Sequence, residues 1–128
     1  MRSSEISARF DLLNALVNWS KPIADISQAL SSCAWDYDGE PYILKRIHLV
    51  NAIERLISNE VSPQELEGWA NLIECREDIG FEESHREEIE QIIYRLANPE
   101  LEGAITVEEC RKLVKELIGV EIDGISID

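Results

Sequence analysis

The sequence has 128 residues, 45% of them apolar, with 26 acidic and 12 basic side chains and a formal net charge of −14. This length and apolar content predict one domain, residues 1–128, with a single hydrophobic core. The charge argues against nucleic acid or an anionic membrane as a partner, because phosphate groups would be repelled. It permits a basic protein partner; the alternative is a solvated face that keeps the protein soluble.

The N-terminal ten residues mix charged and polar side chains where a secretory signal needs an apolar stretch. No apolar run approaches the roughly 20 residues of a membrane-spanning helix. We therefore expect a cytoplasmic protein. The three cysteines are far apart, form no Cys-x-x-Cys pair and lie in apolar helical stripes, which predicts buried thiols at Cys33, Cys75 and Cys110.

Apolar residues recur at helical spacing through most of the chain. In the first half they predict three helices, with Pro22 near the start of the second. The third runs from about residue 43 or 45 to residue 59, and its first residues could equally form a short extended piece. The three apolar faces are Ile6, Phe10, Leu13 and Val17; Ile23, Ile26, Leu30 and Cys33; and Ile43, Ile47, Val50, Ile53 and Ile57.

Three capping boxes predict the starts of the last three helices. In a capping box a hydroxyl accepts an N–H of the first turn, and a glutamate three residues later accepts the N–H of the cap residue. The pattern occurs at 62–65, 84–87 and 106–109. The sequence therefore predicts an all-α fold, a single-domain bundle of about six short helices. The tail, residues 120–128, alternates apolar and acidic residues and is either a short strand or a frayed end. The apolar faces of these last helices are Leu66, Trp69, Ala70 and Ile73; Ile89, Ile92, Ile93 and Leu96; and Cys110, Leu113, Val114 and Leu117.

Patterns that support catalysis or metal binding are scarce. His48 and His85 form no zinc-binding motif; we expect the first to be half-buried and the second exposed. Residues 36–40 and 123–125 each resemble part of a calcium loop but lack its closing glutamate. The sequence contains no nucleophile elbow and no phosphate loop. We predict no metal, no cofactor and no enzymatic activity; the alternative is a small enzyme with two carboxylates in one pocket.

The negative charge is concentrated in the second half. Residues 1–64 carry 8 acidic and 6 basic side chains, whereas residues 65–128 carry 18 and 6. Within the dense stretch 74–90, we interpret residues 77–81 as a loop that displays two acids beside an apolar residue. These features predict an acidic domain that binds a basic protein through Glu74, Glu77, Asp78, Glu82 and Glu83. A helical structural or adaptor protein with no special surface is the alternative.

Aromatic and acidic residues alternate at 35–42. Large rings surrounded by charge are typical of interaction hot spots, which makes Trp35 and Tyr37 candidate anchors for the partner. The alternative is that Trp35 and Tyr42 close the end of the bundle.

One helix junction suggests a family. The stretch at 56–66, Leu-Ile-Ser-Asn-Glu-Val-Ser-Pro-Gln-Glu-Leu, resembles a junction in bacterial toxin-immunity proteins of the colicin D immunity type. The resemblance covers about a dozen residues. It implies a small, acidic, helical, cytosolic protein that binds and blocks a basic nuclease toxin, and it assigns no functional residue.

Overall fold

The computed structural model describes residues 2–31, 40–74 and 76–119, with side chains from residue 9 to residue 118 within those ranges. The all-α prediction is confirmed: the described residues form seven helices and two short strands. The helices are α1 (Arg2–Asn18), α2 (Ile23–Ser31), α3 (Arg46–Ile57), α4 (Pro63–Glu74), α5 (Arg86–Ala97), α6 (Pro99–Glu102) and α7 (Val107–Val114). The strands are β1 (Tyr42–Leu44) and β2 (Ile79–Phe81).

One core joins all the longer helices, and most of the predicted apolar faces line it. The predicted faces of α4 and α5 are buried throughout. Two faces differ from the prediction. Phe10 is 46% exposed, because α1 buries Leu13, Leu16 and Val17 while the Phe10 ring packs beside Tyr42, with 4.9 Å between the ring centroids. In addition, Ile47 is 54% exposed, because the buried face of α3 centres on Leu49, Ile53 and Leu56 and Ile47 lies on the opposite side of the helix.

The two strands form a small parallel sheet in which Tyr42, Ile43 and Leu44 pair with Ile79, Gly80 and Phe81. Parallel strands need a long crossover connection, which α3 and α4 provide here. The extended alternative for the start of the third helix is therefore correct, and Ile43 faces outward because side chains alternate along a strand. The prediction of a loop over residues 77–81 is wrong at 79–81.

A tryptophan pair joins the first and second halves of the bundle. The rings of Trp19 and Trp69 stack with 5.7 Å between their centroids, and the Trp69 indole N–H donates to the Leu16 carbonyl at 2.7 Å. Trp19 has φ 50°, a left-handed conformation that ends α1, and the next N–H, of Ser20, donates to the Ala15 carbonyl at 2.9 Å. Arg55 holds this corner from α3, since it donates to the Trp19 carbonyl at 2.7 Å.

The three predicted capping boxes have three different outcomes. The box at Ser62 and Glu65 is complete, with bonds of 3.1 Å and 2.8 Å. Thr106 accepts the Glu109 N–H at 3.1 Å, but the Glu109 carboxylate pairs with Arg95 instead of turning back. The box predicted at 84–87 does not form, because a 3₁₀ turn over Glu83–His85 makes Arg86 the first residue of α5.

Candidate partner-binding surface

The five acids predicted to contact a partner lie in different environments. Asp78 is 4% exposed. Its two carboxylate oxygens accept from Arg76 at 2.7 Å and 2.9 Å, and the buried Arg9 lies 3.9 Å away. A bidentate pair of this kind is among the stronger polar contacts in proteins. The prediction that Asp78 is displayed to a partner is therefore wrong: Asp78 joins α1 to the start of β2.

Two further predicted acids are half-buried and engaged within the fold. Glu82 accepts the backbone N–H of Arg46 at 3.1 Å, which satisfies one of the N–H groups that the first turn of α3 leaves without a helical partner. Glu74 accepts from the side-chain amide of Asn98 at 3.3 Å and so ties α4 to the end of α5. Both carboxylates keep some solvent exposure.

Glu77 and Glu83 are the two predicted acids whose side chains are exposed. The two predicted aromatic anchors, Trp35 and Tyr37, lie outside the described residues. Tyr42, at the end of the same stretch, is half-buried and packs on α1, where its hydroxyl donates to the Asn14 side chain at 3.0 Å. Tyr42 therefore packs against α1.

A surface that the sequence interpretation did not identify lies at the junction of α5 and α6. Tyr94 is 44% exposed and Leu101 is 70% exposed. Glu90, Glu100 and Glu102 are also exposed beside them in the chain. We call these five residues the α5–α6 surface. The sequence gives no clear signal for it, because Tyr94 and Leu101 fall outside every predicted apolar face but so do Leu16, Leu49 and Leu56, which are buried.

Hydrogen bonds from Asn98 fix the shape of this surface. The Asn98 side-chain amide donates to the Tyr94 carbonyl at 2.8 Å, and the Asn98 backbone carbonyl accepts the N–H groups of Leu101 and Glu102, each at 3.0 Å. The same side chain reaches Glu74, as described above. The junction is thus tied to α4 as well as to α5 and α6.

The two histidines have structural environments. The Nδ1 atom of His48 accepts the Lys45 N–H at 2.9 Å, which caps α3 in the manner of a capping-box glutamate. Burial lowers the pKa of His48 below its ordinary value; the charge of Lys45 lowers it further and that of Glu82 opposes the shift. His85 is half-buried beside Glu88, with 4.0 Å between Nδ1 and the carboxylate.

The thiol of Cys110 is buried in the core. Burial, followed by the charge of Glu109, raises its pKa to about 11, so the thiol remains protonated at neutral pH. The buried-thiol prediction is confirmed at Cys110, whereas Cys33 and Cys75 lie outside the described residues, as does the tail at 120–128. Within the described ranges, no three or more His, Cys, Asp or Glu side chains are grouped to hold a metal ion. No helix in these ranges is both long and apolar enough to cross a membrane.

Comparison with known proteins gives no match: no family model fits the sequence, and no curated protein or solved structure is significantly similar to it.

Proposed function

We propose that this protein is an acidic binding domain of the immunity or inhibitor type, which acts in the cytoplasm by binding a basic, toxin-like protein and covering its active site. The observation that carries the proposal is the charge of the solvent-accessible side chains. In the described part of residues 65–119, fourteen acids and six bases are exposed or half-buried. In the described part of residues 9–64, the corresponding numbers are five and four. The second half of the bundle therefore presents the negative surface.

A negative surface favours a basic partner in two ways. It attracts the partner before contact, which can raise an association rate by roughly 10- to 1,000-fold at low ionic strength. The same surface repels nucleic acid. It would therefore bind a basic nuclease without also binding the nucleic acid on which that nuclease acts. The short resemblance at residues 56–66 points in the same direction.

The proposal is tested by capture followed by binary assays. Native-cell extract is passed over the immobilised protein at about 50 mM salt, and bound proteins are eluted at about 500 mM, where charge attraction is strongly screened. Each eluted protein is then produced alone. We expect one that is basic, that binds the purified chain directly with salt-dependent affinity, and that is toxic to a bacterial host unless this chain is co-expressed.

Two matched variants show whether the second half carries the binding. Glu83→Gln/Glu87→Gln/Glu90→Gln removes three exposed charges from the second half, and Asp25→Asn/Glu54→Gln/Glu60→Gln removes three from the first. We expect the first variant to associate with the captured protein several-fold more slowly at low salt than the second. Equal association rates, or a captured protein whose toxicity is unaffected by co-expression, would contradict the proposal.

A further inference from the structure

We infer that the α5–α6 surface is the docking site for a basic polypeptide segment, in which a large apolar side chain is flanked by arginine or lysine. This inference rests on the proposed function and names the part of the acidic half that makes contact.

The first argument is the exposure of two large apolar side chains at one junction. A single exposed leucine is common on protein surfaces. Here Leu101 is 70% exposed and Tyr94 is 44% exposed, and the backbone of each is hydrogen-bonded to Asn98. Tyrosine anchors are enriched among the residues that dominate binding energy, because a ring covers a large area with few rotatable bonds.

The second argument is that the surface is preorganised. Asn98 bonds to the Tyr94 carbonyl, to the Leu101 N–H and to the Glu74 carboxylate, so the junction is fixed before a partner arrives. Pro99 begins α6, and its ring restricts the backbone at that point. A fixed surface loses little conformational entropy on binding, which favours affinity.

The third argument is charge, which identifies the occupant. Glu90, Glu100 and Glu102 are exposed beside the two apolar residues, and Glu74 keeps partial exposure at the same junction. Arg95 pairs with Glu109, outside this surface, and Arg86 lies 3.9 Å from Glu90 and offsets part of its charge. Glu100 and Glu102, which flank Leu101 in the chain, therefore contribute most of the negative charge. The α5–α6 surface combines apolar contact area with neighbouring carboxylates. It is therefore complementary to a partner segment that combines an apolar side chain with neighbouring basic side chains. An arginine of the partner could also lie on the face of the Tyr94 ring.

The test uses a defined probe rather than an unknown partner. A phage-displayed library of random peptides is selected on the purified full-length chain, and the enriched peptides are synthesised with a fluorescent label. Binding is measured by fluorescence anisotropy to the unmodified chain and to the variants Tyr94→Ser, Leu101→Ser and Ile47→Ser. The last removes a comparably exposed apolar side chain, 54% exposed, from α3 and serves as the matched control.

We expect the enriched peptides to combine basic and large apolar residues. Their affinity should fall at least tenfold for Tyr94→Ser and Leu101→Ser and change less than twofold for Ile47→Ser. Circular dichroism confirms that each variant is folded. Selection of no peptides, of acidic or neutral peptides, or of peptides that bind Leu101→Ser as tightly as the unmodified chain would overturn the inference.

The outcomes also separate this inference from the proposed function. A captured basic toxin whose binding is indifferent to Tyr94 and Leu101 would preserve the function and overturn the docking site. Basic-apolar peptides that depend on both residues, in a protein that neutralises no toxin, would preserve the docking site and overturn the function.

Discussion

Two regions of this molecule use large side chains with extensive apolar surface for different purposes. At the corner between α1 and α4, Trp69 is fully buried against Trp19, and its indole N–H is hydrogen-bonded to a backbone carbonyl. At the junction of α5 and α6, Tyr94 and Leu101 remain largely exposed. The difference shows that an apolar residue holds the fold only where neighbouring elements cover it; elsewhere it is available to a partner.

The acidic residues divide in the same way. Asp78 is buried in an ion pair with Arg76, whereas its neighbour Glu77 is exposed. A charge count over the sequence treats both residues alike. In the structure, one stabilises the fold and the other contributes to the negative surface.

The largest expected effect is a difference in stability between substitutions in the two regions. Trp69→Ala should lower the free energy of unfolding by about 3–5 kcal/mol, because it leaves a cavity and removes a buried hydrogen bond. Tyr94→Ala should lower it by much less, about 1 kcal/mol or less, because the ring is 44% exposed and leaves no enclosed cavity. Urea unfolding followed by circular dichroism measures both. Similar losses in the two variants would mean that Tyr94 belongs to the core.

A smaller effect should distinguish the capping boxes. Ser62→Ala removes a hydroxyl that accepts the Glu65 N–H and should cost about 1 kcal/mol of stability. Ser84→Ala, at a position with the same sequence pattern, should cost only a few tenths, because α5 begins after it. The same urea experiment compares them, and a larger loss for Ser84→Ala would make Ser84 the cap of α5 and place the start of the helix one residue earlier.

These boxes illustrate how far the sequence can predict this fold. The helical faces and the caps at Ser62 and Thr106 depend on residues three or four positions apart, and local patterns identify them. The sheet joins residues 42–44 to residues 79–81, and the Asp78 cluster joins residues 9, 76 and 78. The sheet and the Arg9 contact leave no local periodicity, and Arg76 two residues away does not by itself indicate burial, so the sequence does not identify Asp78 as a buried acid. For the same reason, the sequence does not indicate that Glu74 and Glu82 accept hydrogen bonds within the fold, from Asn98 and Arg46 respectively.

The smallest expected effect is a pH dependence from the cap of α3. The folded protein lowers the pKa of His48 by burial, so the unfolded chain binds a proton at a higher pH than the folded chain does. Stability from this residue is therefore complete above its ordinary pKa of 6.5 and is lost as the pH falls through the lowered value. His48→Gln keeps a hydrogen-bond acceptor at the same position but does not titrate.

We expect the unmodified protein to lose more stability than His48→Gln between about pH 7.5 and about pH 5. Urea unfolding at a series of pH values provides the comparison, and the difference between the two proteins cancels the contribution of the many carboxylates. Parallel pH profiles would show that His48 titrates alike in the folded and unfolded chains.

The division between buried and exposed acids is tested most directly by neutralising two adjacent residues, Asp78 and Glu77, and measuring the free energy of unfolding. Asp78→Asn should cost about 3–5 kcal/mol, because it neutralises a carboxylate that is 4% exposed and accepts two charged hydrogen bonds from Arg76. Glu77→Gln should change stability by less than about 0.5 kcal/mol, because the side chain is exposed. A cost that is equal for both variants, or larger for Glu77→Gln, would contradict this division.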